Sequence, residues 1–132
     1  QNLVATKIVG IEYPPLAMAA RISGTLKVKC AVRADGSVAS TEIVEAVADI
    51  DDPSLREAKA KGVRDLLGIP AQENAHKWLF NVPDKSATLS VVLTYRFGFE
   101  VVENASTRMH SRFEFDYPST VRVIAEVGPP QI

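Results

Sequence analysis

At 132 residues, 46% hydrophobic and 23% charged, the chain has the size and balance of one globular domain, with enough apolar surface for a core that needs no metal or disulfide staple. A formal net charge of -1, with acids and bases interleaved, offers no concentrated basic face, so nucleic acid is not expected as a partner. No run of about 18 apolar residues occurs, so the chain as it stands is not expected to span a membrane as a helix.

Residues 1–12 read as an extended arm, apolar at Leu3, Val4, Ile8 and Val9 and stopped by Tyr13-Pro14-Pro15. Pro15 suits the first turn of a short helix through Ala20, because its missing N–H is not needed there. Ser23-Gly24 is read as the end of that helix, with the glycine taking a backbone angle other residues avoid. Leu26, Val28, Cys30 and Val32 then alternate with polar residues, the period of a half-buried strand. Asp35-Gly36 turns the chain into a partner strand from Val38 to about Val47, where Ile43 breaks phase and predicts a bulge.

Asp49 to Pro53 leads into a helix with Asp52 as N-cap and Pro53 at its first position. Calcium is not expected there, because the ligand spacing and central glycine of a calcium loop are missing. Leu55, Ala58, Val63, Leu66 and Leu67 recur at helical spacing, and Gly68 is read as the stop. A second helix is expected from Pro70 to Phe80, burying Ala71, Ala75, Trp78 and Leu79. After a loop, Leu89, Val91, Leu93, Tyr95, Phe97 and Phe99 share one face of a long strand reaching Val101. A C-terminal extension, residues 104–127, holds two further alternating runs, Arg112–Tyr117 and Thr120–Val127. The expected fold class is α+β: a small antiparallel sheet whose first strand lies between the second and the long one, with helices on one face. The whole chain, residues 1–132, is read as one domain.

Catalytic chemistry needs a constellation of side chains, and none is visible. His76 and His110 have no partner at metal-ligand spacing, and neither a phosphate-binding glycine loop nor a nucleophile elbow occurs. Cys30 has no second cysteine to pair with and reads as a small buried thiol. No catalytic residue, cofactor or metal is expected. Asn104-Ala105-Ser106 matches a glycosylation sequon.

Tyr13-Pro14, Ala17 and Gly24, then Leu26-Lys27-Val28-Lys29, Asp35-Gly36 and Val38, resemble the start of the C-terminal domain of the TonB energy-transducer family. Ala75, Trp78 and Phe80 are similar to that family's aromatic-bracketed helix end, and Leu89 to Phe99 to its third strand. The resemblance covers Tyr13 to Val101. Arg21 stands where the family often has glycine, the Asp49–Gly68 segment is longer than usual, and the proline after the last aromatic comes late, at Pro83.

The resemblance implies a non-enzymatic periplasmic domain of the bacterial cell envelope, secreted or anchored by a segment outside this chain. It implies recognition of an extended peptide, of an outer-membrane transporter or another envelope protein, by strand addition to the sheet. The matching edge is the long strand, with Ser90, Val92, Thr94 and Arg96 as partner-binding residues. The alternative expectation is a self-associating structural domain of the envelope whose sheet edges serve oligomers, a homodimer among them. Because exposed edges are usually covered, the tail is expected to occlude the long strand, within one chain or by exchange between two.

Overall fold

The computed structural model describes residues 3–83, 89–103 and 110–128, and its two helices and seven strands form the α+β fold expected. The extended arm contains β1 (Val4–Lys7), and α1 (Pro15–Ala19) follows with Pro15 at its first position. Strands β2 (Gly24–Val32) and β3 (Val38–Ala48) form the hairpin, with a register shift at Val44, where Lys27 pairs Glu45 and Val28 pairs Ile43. The turn differs in detail from a two-residue Asp-Gly connection. Gly36 N–H donates to Arg33 O at 2.9 Å and Arg33 N–H to Ser37 O at 2.8 Å. Gly36 then carries the positive φ, 92°.

The two helices expected between 53 and 80 are one. α2 runs Pro53–His76. Its start is as the sequence foretells: the Asp52 carboxylate accepts from Ser54 N–H at 2.9 Å and Pro53 follows. Gly68 does not stop it, and Pro70 lies inside it. A proline in a helix interior typically costs about 3 kcal/mol. Here Val63, Leu67, Gly68, Ala71 and Ala75, on both sides of Pro70, are buried against the sheet. The apolar stripe spans the breaker, and tertiary packing outweighs it. Gly68 serves close approach instead: a Cβ there would lie 2.7 Å from Ile43 Cδ1. The helix also ends earlier than expected, so Leu79 and Phe80 belong to β4 (Leu79–Asn81), which pairs antiparallel with β1.

β5 (Leu89–Val101) is the expected long strand, and the tail supplies β6 (His110–Asp116) and β7 (Thr120–Val127). The main sheet has the order β3-β2-β5-β7-β6, antiparallel except for the parallel pair β5–β7. β2 therefore lies between β3 and β5, as expected. Leu26, Val28, Cys30, Leu93, Tyr95, Phe97, Val121, Val123 and Ala125 form the inner face with α2 and Trp78.

Two further expectations are corrected at this level. Gly24 does not cap α1; the left-handed residue there is Arg21, at φ 57°. Gly24 opens β2, where a Cβ would meet Val47 O at 2.4 Å. The sequon at Asn104 lies outside the described residues.

Candidate functional site: the sheet edge at strand β5

β5 has thirteen residues but not the same neighbours along its length. β2 pairs with Leu89–Phe97 on one side. β7 pairs with Thr94–Val101 on the other. Among the described residues no strand pairs with Leu89–Leu93 on that second side.

Hydrogen-bond parity fixes which main-chain groups face outward. Thr94 N–H donates to Ser119 O at 2.9 Å, and Val102 N–H to Val127 O at 2.8 Å. Main-chain groups alternate in direction along a strand, and the β2–β5 register runs without a shift. The even-numbered residues of β5 therefore turn their N–H and C=O towards the β7 side. Thr94 and Arg96 meet β7 there, opposite Thr120 and Arg122. Ser90 and Val92 meet no strand on that side among the described residues. The expected edge is thus half occupied: the chain's own tail covers it from Thr94 onward and, among the described residues, nothing pairs with Leu89–Leu93 on that side.

The side chains of Ser90, Val92, Thr94 and Arg96 all project from the sheet face opposite α2. Ser90, Val92 and Arg96 are exposed and Thr94 is half-buried. Their odd-numbered neighbours Leu93, Tyr95 and Phe97 face the core.

The other sheet edges carry devices that discourage pairing. β3 has the irregularity at Val44 and the charges Glu42 and Glu45, the latter 3.5 Å from Lys27. β6 carries Arg112, Glu114 and Asp116. Arg112 lies 2.5 Å from Glu100, 3.4 Å from Glu114 and 3.6 Å from Glu126. Arg122 binds Glu114 and, at 2.9 Å, Asp116. The arm also reaches β6, with Tyr13 N–H donating to Ser111 Oγ at 3.2 Å. Leu89-Ser90-Val91-Val92-Leu93 has no charge, proline or bulge.

A buried group that the sequence reading passed over holds this scaffold together. Asn74 Oδ1 accepts from Trp78 Nε1 at 3.0 Å and Tyr95 OH at 2.7 Å. Its Nδ2 donates to Val9 O at 3.0 Å and Gly10 O at 3.1 Å. One side chain ties α2, β5 and the arm. A polar residue inside an alanine-rich buried stripe was the signal available. Trp78 lies just past the helix and contacts Phe80 and Phe115, with ring centroids 6.2 and 5.5 Å away. Tyr13 OH donates to Ile22 O, and its ring meets Phe97 edge-on at 5.4 Å.

Burial pushes the Cys30 thiol up to about 11 and raises the Tyr95 phenol; burial, and then the charge of Asp49, raises the Tyr13 phenol. Cys30 is thus a protonated core thiol, as its pattern implied. Among the described residues no three His, Cys, Asp or Glu side chains converge as metal ligands.

A β-hairpin, a helix crossing one face and a long strand returning beside the hairpin define an α+β sheet domain. Residues 9–65 match the family described as Gram-negative bacterial TonB protein C-terminal. Over that stretch the chain is similar to the TonB C-terminal domain, as the resemblance implied. The matched stretch runs from the arm into α2 and ends before β5. No curated protein matches the chain.

Proposed function

We propose that this chain is a non-enzymatic protein-binding domain of the bacterial periplasm that takes an extended peptide as an added strand along Leu89–Leu93. The peptide would belong to an outer-membrane transporter or another envelope protein, as the TonB-like family suggests. The observation that carries this reading is the open, uncharged half of β5, beside two outer edges that carry charges, a bulge or contacts from the arm. Outward main-chain groups of Ser90 and Val92 supply hydrogen bonds, and the side chains of Ser90, Val92 and Thr94 select the sequence. The added strand would lie end to end with β7 and need not displace it. Arg96 lies beyond the open stretch, so its contribution falls to the neighbouring face.

The test is titration of the chain with synthetic peptides from periplasm-facing extended segments of outer-membrane transporters, read by residue-resolved amide shifts. Perturbation centred on Ser90, Val92 and Thr94, abolished by Val92→Pro, is expected. Proline removes the outward N–H while leaving the β2 ladder in place. Perturbation along β3, or binding indifferent to Val92→Pro, would refute the assignment.

A further inference from the structure

Rows of side chains cross the outer face of the sheet, and most of their charges are matched among the described residues. Lys27 lies opposite Glu45 and Lys29 opposite Glu42. Arg112 is surrounded by Glu100, Glu114 and Glu126, and Arg122 by Glu114 and Asp116. Arg96 stands apart. Its cross-strand neighbours are Thr25 on β2 and a second arginine, Arg122, on β7. Among the described residues it has no ion pair. Like charges directly opposite on adjacent strands are unfavourable, so a bare sheet gives no reason for this placement.

Beside the two arginines the surface dips. A depression of about 230 Å³ is lined by Thr25, Asp49, Arg96, Gly98, Arg122 and Ile124, with Gly24 and Phe97 beneath. Gly98 keeps its floor low, since a Cβ there would meet no atom within 4 Å. Asp49 is the carboxylate on the rim and forms no ion pair with either arginine among the described residues.

We propose that Arg96 and Arg122 form a carboxylate-binding site, taking the acidic side chain or C-terminal carboxylate of a peptide. A guanidinium is planar and offers paired donors matched to a carboxylate. One arginine with a free fork, next to another held by acids on its far side, presents such donors at the mouth of the depression. Thr25 adds a hydroxyl. A ligand carboxylate also relieves the repulsion between the two cations. Val92 and Arg96 are four residues apart, roughly 13 Å along the strand, so the site is separate from the open main-chain edge and stands whether or not a strand adds there.

The test uses the whole chain labelled for arginine side-chain NMR, titrated with sodium acetate and with N-acetyl-aspartate N-methylamide, against sodium chloride at equal ionic strength. Saturable shifts of the Arg96 and Arg122 Nε–H signals and of the Gly98 amide are expected with both carboxylates, and none with chloride. Arg112, already enclosed by acids, should not saturate. Arg96→Gln should weaken the aspartate probe at least tenfold. Gly98→Val, which adds bulk at the floor where a Cβ would meet no atom within 4 Å, should weaken it as well. Asp49→Asn should tighten it. Shifts reproduced by chloride, or retained in both Arg96→Gln and Gly98→Val, would overturn the proposal. Tighter binding of inorganic phosphate than of either carboxylate would overturn the carboxylate assignment.

Discussion

Asn74 shows how much one buried polar side chain can organise. It makes four hydrogen bonds to three separate parts of the fold while only 5% exposed. A buried donor left without a partner costs about 1–3 kcal/mol. Asn74→Leu strands the Trp78 N–H and the Tyr95 hydroxyl and releases the arm, so urea unfolding should show a loss of about 3 kcal/mol or more. Cys30 makes a different kind of prediction. Its folded pKa, about 11, lies above the ordinary thiol value of 9.0. Between those values the unfolded chain has released the proton that the folded one still holds, so stability falls as pH rises. The contribution is fully present below pH 9 and is lost through about 11, with Tyr13 and Tyr95 acting in the same direction higher still. Denaturant midpoints should therefore be insensitive to these groups up to pH 8.5 and decline above it, and a thiol reagent should react with Cys30 only after unfolding. Arg21 belongs at this scale too. Its left-handed backbone explains why glycine suits that position, and its guanidinium lies 5.4 Å above the Phe99 ring.

At the scale of elements, strand periodicity was the most legible signal. β2, β5 and the bulge in β3 all follow from alternation, because one face must be buried and a one-residue slip would expose it. The capped start of α2 was legible for a similar reason: Asp52 and Pro53 act locally. Its continuation was not. Gly68 and Pro70 are breakers by local rules, and only the sheet, distant in sequence, shows that the buried stripe continues past them. Phe80 was misplaced in a helix because a strand of three residues leaves almost no periodicity to read. The turn glycine marks the limit of tolerance. Gly36 has φ 92°, and a Cβ would lie 2.1 Å from Phe80 O. Gly36→Ala should destabilise the chain by more than the ~1–2 kcal/mol of a left-handed alanine, with both the hairpin and β4 shifted in amide spectra.

For the molecule as a whole, the sheet order was legible as far as β5, and the candidate edge was legible in part. The alternating tail announced that something would cover β5. That β7, not β6, takes the inner place, and that it stops at Thr94, depends on a parallel pairing with no short-range signature. Val121, Val123 and Ala125 are fully buried beside β5. Truncation after Val102 should therefore expose Phe97, Phe99 and the whole outer edge, and light scattering should show self-association with a lower unfolding midpoint. A truncated monomer of unchanged stability would mean that the tail is not part of the sheet. The intact chain carries the central claim, that β5 is open from Leu89 to Leu93 and closed beyond. Residue-resolved amide hydrogen exchange tests it most directly. The account predicts rapid exchange at Ser90 and Val92, slow exchange at Leu93, Tyr95 and Arg96, and protection of Ser90 and Val92 when a transporter peptide binds. Slow exchange at Ser90 and Val92 in the free chain would contradict it.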